Sequence, residues 1–268
     1  KMNLDSILSK VDNNSEINRD ELIFLLDIQD KSDMEQLFKK AYEIKQKHVG
    51  NKVYFRGLIE FSNICEKDCF YCGIRKTNAN IDRFMITMDE IIQNAKFAYD
   101  NEYGSIVLQS GERTDEHFIN FVDTAIREIK KLSDGKLGIT LCVGEQNDDT
   151  YRRWFESGAH RYLLRIETSN RDLYRKIHPE NHSFEKRLEC LKMLKKIGYQ
   201  TGTGVMIGLP EQTVPNLADD VLFFKEIDAD MIGMGPYLEH KETPMAGSFS
   251  NYNNEEHLEL GLRMIAVT

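Results

Sequence analysis

Apolar positions in the first fifty residues recur at helical spacing. Leu4, Ile7, Leu8 and Val11 form one stripe, and Leu22, Leu25, Leu26 and Ile28 form a second. Met34, Leu37, Ala41 and Ile44 place a third helix over 34–47. The intervening positions are polar, so residues 1–50 are expected to form a helical lead-in packed on a larger body. At Val53 the pattern changes. Residues 53–61 (VYFRGLIEF) are β-branched, apolar and aromatic, which predicts a strand. Thr87 followed by Glu90 makes a capping box and opens a helix to about residue 101. Strands are then predicted over 105–108, 137–143, 161–166, 200–207 and 231–234. Helices are predicted over 115–132, 148–157, 183–197, 213–227 and 254–267.

Six strand–helix units in alternation imply an α/β fold, a parallel sheet covered by helices, over residues 51–268. Periodicity alone does not choose between a barrel and an open doubly wound sheet. The chemistry-bearing residues follow the ends of five successive strands. That favours a (β/α) barrel, because a switch-point site in an open sheet uses fewer strand ends.

Composition narrows the class. The 268 residues are 41% hydrophobic and 29% charged, which is a globular balance. Lys and Arg total 35 against 44 Asp and Glu, for a net charge of −9. An acidic chain argues against a broad nucleic-acid footprint. No apolar run is long enough to span a bilayer, so no membrane partner is expected. The cysteine count is five, and three of them crowd into residues 65–72. That pattern reads as reduced thiols with a task, in a cytoplasmic setting, and not as a disulfide framework.

The spacing is Cys65-x3-Cys69-x2-Cys72, just after the first strand. Three thiolates on one tight loop can grip three corners of a 4Fe–4S cluster, which ordinarily takes four cysteines. One iron would then stay open to a substrate or cosubstrate. The competing reading is zinc, with Cys142, Cys190 or a histidine as fourth ligand. For Cys142 and Cys190 plain core packing is expected. Along the fourth strand, a period of two puts Arg161, Leu163, Arg165 and Glu167 on one face. Facing a lumen, that row would form a cationic pocket for a small anion, with Glu167 free for a ribose or amine. The alternative is a buried salt-bridge network with no ligand. Arg187, on the next helix, could reach a carboxylate at the strand mouth. His178, His182 and His240 sit in loops and are expected to be exposed.

The cysteine loop resembles that of the radical S-adenosylmethionine (radical SAM) superfamily, a family of TIM-like (β/α) barrels. The resemblance implies that the open iron takes S-adenosylmethionine, which is cleaved reductively to a 5′-deoxyadenosyl radical. Tyr71, before the last cysteine, matches the family's aromatic beside adenine. The stretch 109–112 (QSGE) resembles the element that receives the methionyl ammonium, with Ser110 in place of a glycine. The stretch 204–211 (GVMIGLPE) resembles the glycine-bearing adenine element, with Met206 at its apolar position. Longer stretches resemble the FeFe-hydrogenase maturases of the HydE type, relatives of biotin synthase and methylornithine synthase. These are 59–63, 71–75, 107–112, 161–168, 208–213 and the Gly235-Pro236 and Thr243-Pro244 pairs.

Residue by residue, the resemblance implies that Cys65, Cys69 and Cys72 ligate the cluster and carry the catalysis. Tyr71, Ser110, Glu112, Glu167, Arg187 and Met206 would hold S-adenosylmethionine, and Arg161 and Arg165 a small anionic substrate. A reduced flavodoxin or ferredoxin would supply electrons, and other hydrogenase maturases would be partners. There are two departures. Ile166 stands where the family commonly has a histidine, and the chain stops inside the sixth helix where the family's barrel runs two units further. The second departure is read as truncation after Thr268. Three functions stay open: a hydrogenase-maturing radical enzyme, a biosynthetic radical enzyme acting on a small carboxylate, or a non-enzymatic zinc or iron–sulfur scaffold.

Overall fold

The computed structural model describes residues 2–248 and 253–268, so Lys1 lies outside the described residues. Helices α1 (Leu4–Asp12), α2 (Arg19–Leu26) and α3 (Lys31–Val49) begin at Asn3, Asn18 and Asp30. Each of these accepts a hydrogen bond from a first-turn amide. Their apolar stripes meet in a small cluster of Leu4, Ile7, Leu25, Ile28, Met34 and Leu37. Ala266 and Val267, at the end of the last helix, α10 (Asn254–Val267), pack against it.

The body alternates as read. Its elements are β1 (Gly57–Ser62), α4 (Met88–Asp100), β2 (Ser105–Ser110), α5 (Glu116–Leu132), β3 (Gly138–Cys142), α6 (Asp148–Ser157) and β4 (Arg161–Leu163). Next come α7 (Arg171–Ile177), α8 (Phe184–Ile197), β5 (Gln200–Thr203), β6 (Met206–Ile207), α9 (Val214–Glu226), β7 (Met231–Ile232) and β8 (Gly235–Pro236). The main sheet runs β1-β2-β3-β4-β5-β7, all parallel and in chain order. A doubly wound sheet reverses its order at a switch point, and this one never does, so the progression is that of a (β/α) barrel. β6 and β8 pair beyond the ends of β5 and β7.

Alternation along the strands gives the sheet two different faces. Ile59, Phe61, Ile106, Leu108, Ile139, Leu141 and Tyr162 are buried beneath the helices. Phe118, Val122, Ile126, Trp154, Leu191 and Leu194 meet them there. Each large side chain so buried contributes roughly 1.5–3 kcal/mol of transfer free energy. Leu58, Val107, Gln109, Leu163 and Arg165 lie on the other face and stay partly open.

Four elements differ from the sequence reading. The first strand starts at Gly57, and Val53, Tyr54 and Phe55 are more than three-quarters exposed. β-formers make a strand only where a neighbouring strand pairs with them. The fourth ladder ends at Leu163, although Leu164 N–H still donates to Gly202 O and Glu167 N–H to Gly204 O. The predicted strand 200–207 breaks at Gly204, where a methyl group would run into the Gly233 carbonyl. α7 was missed because its buried residues, Leu173, Tyr174 and Ile177, fill too short a window to show a period.

Candidate functional site

The cysteine loop leaves the C-terminal end of β1 and is fastened from several sides. Arg83 donates to the carbonyls of Asn63 (2.7 Å), Ile74 (2.8 Å), Arg75 (2.7 Å) and Asn78 (3.1 Å). The Asp68 carboxylate accepts from Arg75 and from Thr77. Cys65 Sγ accepts from the backbone N–H of Glu112 at 3.3 Å, which ties the loop to the end of β2. Gly111 makes this approach possible, since a methyl group there would collide with Ile64 O and Cys65. At the far end, Met245 N–H donates to Phe70 O, and the His240 ring lies against Gly73.

The three thiols share a half-buried space and oppose one another's ionisation. Burial pushes all three upward, Cys69 to about 12. Thiolates are expensive here unless a cationic body takes their charge. Three cysteine sulfurs on one loop, at x3 and x2 spacing, fit three corners of an iron–sulfur cluster. Cys190 is buried with Sγ against Gln146 O, as expected of a core thiol. Cys142 ends β3, half-buried on the open face, and burial lifts it to about 11.

Four charges meet above the ends of β2 and β3. Lys67 Nζ stands 3.2 Å from Glu112 and 3.0 Å from Glu145. Arg187, in the first turns of α8, donates to Glu145 at 2.6 Å and to Arg165 O at 2.7 Å. Burial pushes Glu112 upward, and the neighbouring Glu145 charge adds to that. Burial would also raise Glu145, but Arg187 and Lys67 override it and hold the carboxyl down at about 2. Gly144 has φ +84°, and a methyl group there would strike the Glu112 side chain. Ser110, half-buried at the end of β2, donates from Oγ to Gly111 O.

Glu167 follows β4 in a left-handed conformation, φ +66°, and is buried. Burial raises its carboxyl. Arg165 Nη2 lies 3.2 Å from Oε2, yet that oxygen and Arg165 Nε both lack a hydrogen-bond partner. Both atoms are buried beside each other next to the cysteine loop. Tyr71 and Met206 pack with Leu173, Ile177, Leu209, Tyr237 and Met245 into an apolar wall beside it.

The structure thus assembles Cys65, Cys69, Cys72, Tyr71, Ser110, Glu112, Glu167, Arg187, Met206 and Arg165 at one mouth of the sheet. It does not bring Arg161 there. Arg161 starts β4, donates to Gln200 Oε1, and lines a cavity with Val53, Phe55, Gly104 and Ser105 at the opposite, strand-start end. A strand rises ~3.3 Å per residue, so sharing a face with Arg165 still leaves Arg161 about 13 Å away. His178 and His182 are also corrected: both are buried. His178 Nε2 faces the Tyr71 hydroxyl at 3.4 Å, and His182 Nδ1 faces Cys69 Sγ at 3.7 Å. His240 is half-buried. Sequence reasoning missed Lys67, Arg83, Gly144 and Glu145. A charged residue just past the third strand, like those past the second and fourth, was the available signal for Glu145.

Comparisons with known proteins give the chain's family and fold. The model of the radical SAM superfamily matches residues 59–224. The chain is 44% identical to the [FeFe] hydrogenase maturase subunit HydE of Thermotoga maritima over 263 residues, covering 98% of this chain and 72% of that protein. It is 29% identical to biotin synthase of Bacillus cereus over 235 residues, covering 86% and 69%. The solved structure of methylornithine synthase, PylB, superposes with a TM-score of 0.85 at 24% identity, covering 97% of this chain and 77% of that one, which shows a shared fold.

Proposed function

The chain belongs to the radical SAM superfamily, and from that premise we propose that it helps to assemble the active site of an FeFe-hydrogenase. It is a radical SAM enzyme, and such enzymes use a 4Fe–4S cluster and S-adenosylmethionine. The observation that carries the maturase reading is the 44% identity to HydE across nearly the whole chain.

Cys65, Cys69 and Cys72 would hold the cluster. When bound, the cluster and S-adenosylmethionine supply a reductively formed 5′-deoxyadenosyl radical. The chain's own residues place and shield that chemistry. Glu112, with the backbone carbonyls around Ser110, offers acceptors to the methionyl ammonium. Arg187 is fixed by Glu145 and Arg165 O, which aims its charge at the cofactor's carboxylate. The unpartnered Oε2 of Glu167 suits a ribose hydroxyl. Tyr71 and Met206 form an apolar wall that suits adenine and excludes water. The Arg165 side chain is half-buried on the open face, so the anionic substrate falls to Arg165 without Arg161.

We further assign a low-potential flavodoxin or ferredoxin as electron donor, other hydrogenase maturases as partners, and the reducing cytoplasm as the setting. No helix among the described residues is long and apolar enough to cross a membrane. Anaerobic reconstitution tests the reading. A brown protein should release 5′-deoxyadenosine on reduction with S-adenosylmethionine and restore maturation of an apo-hydrogenase in a mixture lacking only its HydE. A colourless, zinc-loaded protein would end the enzyme reading. Cleavage of the cofactor without restored maturation would leave a radical SAM enzyme of another pathway.

A further inference from the structure

The cysteine sulfurs of the loop face hydrogen-bond donors of two kinds. Cys65 Sγ accepts from the backbone N–H groups of Lys67 (3.4 Å) and Glu112 (3.3 Å). Cys69 has a histidine instead, with His182 Nδ1 at 3.7 Å from Sγ.

The other ring nitrogen shows where the proton is. His182 Nε2 faces the Asp68 backbone N–H at 3.4 Å, and an amide N–H can only donate. Nε2 must therefore carry the lone pair, which leaves the proton on Nδ1, directed at the sulfur. The ring is buried and tilted against His178 with centroids 5.9 Å apart. His178 is itself anchored by Nδ1 to Tyr174 O at 2.9 Å. His182 is thus held by the loop on one side and by the α7–α8 connection on the other.

Backbone donors are present whatever the side chains, whereas the ring donor to Cys69, which acts beside the Tyr71 hydroxyl, depends on residue 182 being a histidine. An N–H directed at a ligating sulfur stabilises the more negative, reduced state of an iron–sulfur cluster and raises its potential. We propose that His182 is a positioning residue that raises the reduction potential of the cluster through an Nδ1–H···Sγ bond to Cys69. The inference rests on Cys65, Cys69 and Cys72 holding that cluster.

The test compares the anaerobically reconstituted protein with His182→Leu and His182→Gln. Redox titration followed by electron paramagnetic resonance should show the His182→Leu cluster at a lower potential. His182→Gln, whose amide can still donate, should recover most of the difference. In the wild-type protein labelled with 15N-histidine, pulsed measurements on the reduced cluster should show a weak 15N coupling, absent in His182→Leu. Equal potentials in the wild type and His182→Leu would overturn the proposal, as would a missing 15N coupling in the wild type. The second result decides the matter even if His182→Leu fails to fold. A wild-type protein that takes up no iron and sulfide would overturn the ligand assignment first, and this inference with it.

Discussion

Replacing Arg83 by methionine should loosen the cysteine loop without unfolding the sheet. The Arg83 guanidinium donates to the carbonyls of Asn63, Ile74, Arg75 and Asn78, which bracket the three cysteines. Hydrogen bonds from a charged group are worth roughly 1.5–3 kcal/mol each. The Arg75, Asn63 and Ile74 carbonyls lie in half-open loop and regain water once freed, which returns much of that gross value. A net loss of about 3 kcal/mol is a reasonable remainder, roughly a hundredfold in the opening equilibrium of the loop. Hydrogen exchange on the apo-protein reads this directly. The amides of Cys72, Arg75 and Lys76 donate to Cys69 O, Cys72 O and Lys67 O, and they close only when the loop is closed. Their exchange should quicken about a hundredfold at constant intrinsic rate, while the amides of β2 and β3 keep their protection. Arg83→Lys keeps the charge but not the planar fork, so it should recover only part of the protection. Unchanged exchange at Cys72, Arg75 and Lys76 in Arg83→Met would refute the idea that this side chain fastens the loop.

Four further outcomes are expected. Gly144→Ala, which meets Glu112 at φ +84°, should lower the melting temperature by several degrees. Gly135→Ala, with φ +76° and open space around it, should cost about 1 kcal/mol of backbone strain alone, and equal losses would discount the contact with Glu112. Asp220 is buried, with its Oδ1 accepting from Ser169, and burial raises its carboxyl to about 7. Its contribution to stability is full below about pH 4, the unfolded value, and is lost as pH rises towards 7; denaturant titrations of Asp220→Asn should lose that slope. Glu145 has the opposite sign: with its carboxyl held at about 2 by Arg187 and Lys67, its contribution is full above about pH 4.3 and lost as pH falls towards 2. Glu145→Gln should remove that acid limb, strand a buried Arg187 and cost about 3–5 kcal/mol in chemical denaturation. Arg165→Ala should spare the binding and cleavage of S-adenosylmethionine but uncouple cleavage from substrate turnover; loss of cofactor affinity in equilibrium dialysis would move Arg165 to the cofactor side.

The parts of the fold that were legible in the sequence are those where a local signal and the tertiary structure agree. Thr87 with Glu90, Asp115, Asn147 and Ser183 all cap helices where the pattern opened them. Strand lengths were less legible, because pairing depends on neighbours that are distant in sequence. Residues 53–56 have strand chemistry and no partner, while 164–167 keep single hydrogen bonds to β5 and the residues after it without a regular ladder. Within the site, the cysteines and the strand-end carboxylates Glu112 and Glu167 could be found by position. Arg161 was misplaced because side-chain alternation fixes which face a residue is on but not how deep it lies along the barrel. Glu145 carried only its place past the third strand as a signal, and Lys67 sits at a variable position within the cysteine motif; the ion pair between them forms when the Cys65–Cys72 loop folds over β3.

The cost of the charges at the mouth indicates what they are for. Lys67, Glu112, Glu145 and Arg187 sum to no net charge, and all four side chains are largely buried. A buried network of this kind is seldom more stable than well-packed apolar residues of the same volume, since desolvation consumes much of the Coulomb gain. Stability alone therefore does not explain it. Its geometry is that of a frame: Arg187 is aimed by Glu145, Glu112 is steadied by Lys67 from within the cysteine loop, and both end beside the sulfur atoms. Beyond the frame lie the atoms it leaves without partners, Glu167 Oε2 and Arg165 Nε. Fully hydrogen-bonded charges hold the wall, and the Glu167–Arg165 pair, with an atom on each still lacking a hydrogen bond, faces the space where S-adenosylmethionine and an anion would complete the set.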